Sequence, residues 1–338
     1  MPDEVEDEGL AAQDVVELLE SALLGGQPTL TSDDVAARTG VPKEIARARW
    51  RALGFTQVPD GDAAFTEADV HAMQMVERLL DLGLARDENE LALIRTVGRG
   101  FARMAEFEVG LIAKSLNLGE MEPEQLIETV DELTPLLEEM MSYVWRRHAV
   151  SAGARLALAP STDDDQSLMV AGFADMVGYT ARSRSMRADE LASLVEDFEA
   201  RTVEIVGDHH GRVIKTIGDE VFFVADEPLD GALIALELVE LADHYDGFPQ
   251  LHAGLAYGPV LARLGDVYGP VVNLASRLTS VARPGRIVAD RGLADALAGN
   301  TEIRLRRMRR TAVKGYRHVE PWSLKRPRIV DASRRERE

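Results

Sequence analysis

Two acidic residues stand where strand-forming runs end. Asp175 follows the apolar run Leu168–Phe173 in the segment GFADMVGYT, and Asp219 lies between two β-branched runs in KTIGDEVFF. Two carboxylates with no further protein ligand suit magnesium, which keeps several waters and completes its shell with substrate phosphates. A pair of such ions ~3.5–4 Å apart can activate an attacking oxygen and neutralise a leaving group. Read alone, Asp219 equally suits a tight Gly-Asp turn, and Asp175 reads as a loop residue after a strand. A third segment, GDVYGPVVNLASRL (265–278), sets Asn273 and Arg277 four apart on a helix opening after Gly269, so the two share a face. An amide and a guanidinium facing together can hold a ribose and a phosphate. A solvated helix face is the ordinary reading of such a pair.

The elements that must position these residues follow from periodicity. Leu168–Phe173 reads as a short buried strand and Leu191–Val206 as a helix. Val213–Ile217 and Val221–Ala225 are two strands joined by a tight turn at Gly218-Asp219-Glu220. Leu229–Leu241 is helical and Leu251–Tyr257 is a strand. The order β-α-β-β-α-β is the ferredoxin-like arrangement. In that sheet the first strand and the hairpin are central neighbours, so Asp175 and Asp219 can converge. The cluster Arg304, Arg306, Arg307, Arg309 and Arg310 reads as a solvated edge strand, although it could also draw in a polyanion.

The first half is different in kind. Residues 10–159 read as an all-α domain with a linker helix, after an acidic tail at 1–9. Thr31–Gly54 reads as helix, turn, helix, with Ser32 or Asp33 as the cap and Gly40 as the stop. A second unit starts at Thr66, and long helical patterns run over Asp87–Leu116 and Pro123–Leu156, where Pro135 should kink or restart the last helix. Residues 160–166, PSTDDDQ, form a polar linker, 167–326 a catalytic domain, and 327–338 a charged tail.

Composition narrows the partners. Residues 1–150 hold 13 Lys/Arg against 30 Asp/Glu, a net of −17; the remaining 25 basic and 28 acidic residues give −3. An acidic front half is repelled by nucleic-acid phosphates and anionic lipid, so no stable nucleic-acid binding is expected. With no cysteine there is no disulfide framework and no thiolate chemistry. The acidic N-terminus is no signal peptide. No stretch approaches the ~18 uninterrupted apolar residues of a membrane span. The expected location is cytoplasmic.

Taken together, FADMVGYT, IKTIGDEVFF and GDVYGPVVNLASRL resemble the metal and transition-state motifs of the class III adenylate and guanylate cyclases, over residues 167–324. The resemblance implies an α+β chain: a ferredoxin-like βαββαβ catalytic domain behind an all-α regulatory domain. It implies Asp175 and Asp219 as ligands of two Mg2+ or Mn2+ ions per active site, and Asn273 and Arg277 as transition-state residues. Lys314, in AVKGYRHVEPWSL, matches a lysine that contacts the triphosphate. Lys215 and Asp266 stand at the two base-reading positions. A lysine can donate to adenine N1 and an aspartate can accept from the N6 amino group, so the implied substrate is ATP. Guanine would leave Asp266 facing an oxygen, at ~1–3 kcal/mol. The implied assembly is a homodimer with two shared sites. Glu220, where many members have glycine, is a departure whose role the residues leave open.

Residues 10–155 are similar to the regulatory domain of actinobacterial cyclases that respond to pH, on GVPKEIARARWRALGF, AFTEADV and the linker segment YVWRRH. His148, beside Arg146 and Arg147, is the candidate regulatory group there. Two other readings stay open: a DNA-binding regulator with a cyclase-like sensor, resting on Lys43, Arg47, Arg49 and Arg51, and a guanylate cyclase.

Overall fold

Two kinds of hydrophobic periodicity produce two compact units, Met1–Pro160 and Ser161–Glu338. A computed structural model of the chain describes residues 12–84, 89–116, 121–158, 166–263 and 265–327. The acidic tail, residues 160–165 of the expected linker and the charged tail past 327 lie outside these residues.

The first unit is helical: α1 (Ala12–Leu24), α2 (Ser32–Thr39), α3 (Lys43–Leu53), α4 (Glu67–Asp81), α5 (Glu90–Leu116) and α6 (Pro123–Leu158). Two T-x-x-D segments start α2 and α4. In each, the Asp side chain accepts from the Thr backbone N–H, Asp34 from Thr31 at 2.9 Å and Asp69 from Thr66 at 2.7 Å. Thr31, rather than Ser32 or Asp33, is therefore the cap of α2, because the box needs its partner three residues on. The residue before each box, Leu30 and Phe65, forms a β-bridge with the other, and both are buried with Val35 and Val70 in a small core. Sequence periodicity gave no sign of that bridge. Gly40 ends α2 in the left-handed region at φ 72°. The restart expected at Pro135 does not occur. Helix α6 runs through it, and the ring costs one backbone hydrogen bond to the carbonyl of Asp131.

The second unit is built on a sheet. Its elements are β1 (Gln166–Met176), α7 (Tyr179–Ser183), α8 (Ala188–Asp208), β2 (Arg212–Ile217), β3 (Glu220–Ala225), α9 (Pro228–His244), β4 (Leu251–Arg263), β5 (Asp266–Tyr268), α10 (Pro270–Thr279), β6 (Ile287–Ala289), α11 (Arg291–Ala296), β7 (Arg304–Arg307), β8 (Thr311–Val313), β9 (Tyr316–Val319) and β10 (Trp322–Lys325). The strand order β2-β3-β1-β4 is the ferredoxin-like core, and β6, β10 and β7 extend it beyond β4. That extension lies beyond the four strands of the βαββαβ order read from the sequence. The arginine-rich β7 is its edge, as expected of a charged edge strand. Within the segment AVKGYRHVEPWSL (312–324), β8 and β9 form a separate hairpin, while β10 joins the main sheet.

Strand β1 is buried on both faces, so its alternation separates two cores. Val170, Ala174 and Met176 join the core that contains Phe198 of α8 and Leu238 of α9. Met169, Ala171 and Phe173 face the other way, with Ala275 of α10. The rings of Phe173 and its cross-strand partner Phe222 stack at 4.5 Å. Helix α10 lies so close to β4 that a Cβ on Gly254 would sit 2.1 Å from Thr279 N and 2.4 Å from Ala275 O. Gly254→Ala should therefore cost about 1–3 kcal/mol and lower the melting temperature by several degrees. An unchanged melting curve would place α10 elsewhere.

Candidate active site

The register of three strands sets one row of charged side chains. Asp175 on β1 faces Glu220 on β3 and His252 on β4. Directly opposed residues share a sheet face, so all three project on the side of Phe173 and Phe222. Asp219 stands beside Glu220 in the Gly218-Asp219 turn, where Gly218 takes φ 65°, and its carbonyl accepts from Met176 N–H at 3.1 Å. The hairpin tip is thereby tied to the end of β1. Glu220, read from the sequence as a turn residue, is the first residue of β3. Strand pairing turns its carboxyl onto Asp175 instead of into solvent.

Crowding three carboxylates raises the cost of ionising them together. Burial, followed by the charges of Asp175 and Asp219, pushes Glu220 up to about 7. Burial, followed by the Asp175 charge, also raises Asp219. His252 is raised by its hydrogen bond to Asp175. A donor set made of oxygens that repel one another fits a hard divalent cation, which removes that repulsion. Asp175 and Asp219 are the residues that could hold it, with Glu220 alongside. Among the described residues no group of three or more His, Cys, Asp or Glu side chains is disposed to hold a metal ion.

Lys215 and Asp266 lie 51 residues apart in sequence yet form an ion pair, Nζ to Oδ2 at 2.6 Å. A bulge makes this possible. Val213 pairs with Phe223 and Lys215 with Phe222, so Ile214 is the extra residue. Without it Lys215 would point to the opposite sheet face. Asp266 begins β5, opposite Arg263 of β4, and its Oδ1 accepts from Val267 N–H at 2.8 Å.

The remaining expected residues lie on other elements. Helix α10 starts at Pro270 after Gly269 and buries Ala275, Leu278 and Thr279. Asn273 is exposed and Arg277 half-buried. Lys314 is exposed in the turn between β8 and β9, and Tyr316 Oη binds the Pro270 carbonyl at 3.0 Å, holding that hairpin against the start of α10. His148 is exposed on α6, in the first unit. His252 was not singled out from the sequence. Its one signal is a titratable residue inside the otherwise apolar strand LHAGLAYG.

Of the four basic residues on which a DNA-binding role would rest, Arg51 is exposed and the other three are engaged internally. Lys43 pairs with Asp33 at 2.5 Å and Asp60 at 3.4 Å, Arg47 pairs with Asp60, and Arg49 is buried between Glu77 and Glu90. Among the described residues no helix is long and apolar enough to cross a membrane.

Comparison with known proteins gives two family matches. Residues 163–326 match the adenylate and guanylate cyclase catalytic domain, and residues 4–149 match the adenylate cyclase regulatory domain. The chain is 37% identical over 334 residues to an adenylate cyclase of Glutamicibacter nicotianae, covering 93% of this chain and 83% of that one. It is 38% identical over 285 residues to an adenylate cyclase of Streptomyces coelicolor, covering 82% and 74%. A pH-sensitive adenylate cyclase of Mycobacterium tuberculosis is 32% identical over 304 residues, covering 83% and 73%.

The raised Glu220 has a signed consequence. Its carboxyl is protonated in both folded and unfolded chains below its ordinary value of 4.5, and ionises in the folded chain only near 7. Its contribution to stability is thus present at low pH and lost as pH rises through that window. In chelator, Glu220→Gln should remove this loss, so the melting temperature of the variant relative to wild type should rise between pH 4.5 and 7.5. Parallel melting profiles across that range would refute the crowding.

Proposed function

The chain belongs to the adenylate cyclases, with the family's catalytic domain in its second unit and the regulatory domain in its first, and we propose that it cyclises ATP to 3′,5′-cyclic AMP with release of pyrophosphate. The Lys215–Asp266 pair carries the choice of substrate. It presents one donor beside one acceptor, the complement of adenine N1 and the N6 amino group. Guanine, with O6 and N1–H, reverses that order and leaves both groups facing like partners. Opening the pair to admit a base costs little: its side chains are 40% and 26% exposed, and such ion pairs are worth about 0–1 kcal/mol.

In the reaction the ribose 3′-oxygen bonds to the α-phosphorus as the bond to pyrophosphate breaks, and the 3′ proton passes to Asp175 or to water. Two Mg2+ or Mn2+ ions held by Asp175 and Asp219 would stabilise the charge on the attacking and leaving oxygens. Asn273 orients the ribose, and Arg277 meets the charge that grows on the α-phosphate. Lys314 holds the triphosphate. The site is shared between two chains: Asp175 and Asp219 come from one, and Lys215, Asp266, Asn273, Arg277 and Lys314 from its partner. The mode of packing of α10 supports this reading. It buries one face on its own sheet and leaves Asn273 exposed, available to a second copy.

A DNA-binding role finds less support. Of its best residues, Lys43, Arg47 and Arg49 are committed to carboxylates of the same unit. Phosphate contact would require breaking those pairs.

The full chain should form cyclic AMP from ATP with Mg2+ or Mn2+, with GTP a poor substrate. Asp219→Ala and Asn273→Ala should each abolish this. Mixed in equal amounts, they should recover roughly a quarter of wild-type activity, because half the dimers are mixed and each has one intact site of two. No recovery in chains shown to exchange would refute the shared site. Lys215→Glu combined with Asp266→Ser should narrow the ATP:GTP ratio of kcat/KM by about tenfold or more. An active double variant with an unchanged ratio would remove the base-reading role.

A further inference from the structure

His252 has no part in the chemistry described so far, yet it touches the centre of it. Its Nε2 lies 3.1 Å from Asp175 Oδ2, and its Nδ1 lies 2.8 Å from the main-chain oxygen of Ala282. The ring is well enclosed, with its side chain 17% exposed against 32% for Asp175. A carbonyl oxygen only accepts, so Nδ1 carries hydrogen in that bond, and this fixes the ring's orientation. A carboxylate also only accepts, so Nε2 carries the second hydrogen, and the ring that meets Asp175 on the neighbouring strand is the imidazolium.

The anchor is rigid. Ala282 is buried, and its own N–H is held by Leu278 and Thr279, in the turn that closes α10. A chain of contacts therefore runs from the end of α10 through the imidazole to the carboxylate. Among the described residues, the imidazole hydrogen bond reaches Asp175 and neither Asp219 nor Glu220. Asp175 is also the member of the row flanked on both sides, by Glu220 on β3 and His252 on β4. Without a fixed donor, repulsion from Glu220 and Asp219 would turn its carboxyl away from them. A hydrogen-bonded partner that fixes a ligating carboxylate changes metal affinity as well as rate.

We infer that His252 is a positioning residue for Asp175, holding one carboxylate oxygen so that the group meets a divalent cation in one orientation. The inference rests on Asp175 being a metal carboxylate, as proposed above. The imidazole itself touches neither substrate nor cation. It acts through Asp175, and its loss is felt first in metal affinity.

Two amide replacements separate its two bonds. His252→Asn keeps a donor near the Nδ1 position, for Ala282, and loses the reach to Asp175. His252→Gln keeps a donor near the Nε2 position, for Asp175. Mn2+ affinity is read by electron paramagnetic resonance of free Mn2+ titrated with full-length protein and 2′,3′-dideoxy-ATP, which lacks the attacking hydroxyl. Turnover plays no part in that signal. Melting temperature and far-ultraviolet dichroism establish that each variant is folded. His252→Asn should bind Mn2+ about 10–100-fold more weakly, with His252→Gln restoring most of the affinity. In turnover, the metal concentration for half-maximal rate should rise more than KM for ATP. Folded Asn and Gln variants that both bind Mn2+ like wild type would overturn the inference. Asp175→Asn is the control: unchanged affinity there would show that Asp175 is not a ligand. A weakened Asp175→Asn beside an unweakened His252→Asn would leave the metal assignment standing and sink the role of His252 alone.

Discussion

Like charges forced together at the end of a buried strand are the constraint around which the second unit is arranged. Asp175, Asp219 and Glu220 meet where β1 joins the β2–β3 hairpin; burial and the Asp175 charge raise Asp219, and burial with the charges of Asp175 and Asp219 raises Glu220. Such a cluster is unfavourable in an empty fold and becomes favourable when a cation is held. The rest of the sheet supplies the rigidity that keeps it from relaxing. Strand β1 is covered on both faces, the Phe173–Phe222 stack sits one pleat below the row, and Met176 N–H ties the hairpin tip to the strand end. With these fixed, neither carboxylate can retreat by moving its backbone.

The proposed substrate reading depends on a second local irregularity. One extra residue in β2, Ile214, turns Lys215 to the face where Asp266 arrives from β5. The bulge and the short strand β5 are individually small features. Together they bring a donor and an acceptor side by side, which is what discrimination between two purines requires. Helix α10 adds a third set of groups on its outer face, because its inner face is committed to Gly254 and Thr279. A unit with one helix face spent on its own core and the other carrying Asn273 fits the shared site proposed above.

The first unit solves a different problem. Its helices are short of aromatic core, and the small cluster of Leu30, Val35, Phe65 and Val70 is organised by a single β-bridge with a capping box after each bridge residue. The buried guanidinium of Arg49 draws Glu77 and Glu90 to itself, joining α3 to α4 and α5. Breaking one partner from such a buried set is more costly than never having made it. The strongly acidic charge of this half is partly used in these internal pairs.

Sequence alone was enough for the class of fold and for naming most residues of the proposed site. Strand and helix periods differ, so the βαββαβ order could be read directly, and Gly218 and Gly40 marked turns that need φ > 0. Motif spacing brought Asp175, Asp219, Asn273 and Arg277 forward because each is close in sequence to the element that holds it. What sequence could not decide was anything set by register. The face on which Lys215 emerges depends on a bulge, and a bulge depends on a partner strand. Glu220 looked like a turn residue because one residue either way exchanges the two faces of a strand. His252 passed unnoticed inside an apolar run, since its meaning lies in Asp175, 77 positions away. Local periodicity carries information about neighbours along the chain; pairing across the sheet is a long-range choice, made by burial and hydrogen bonding only when the strands meet.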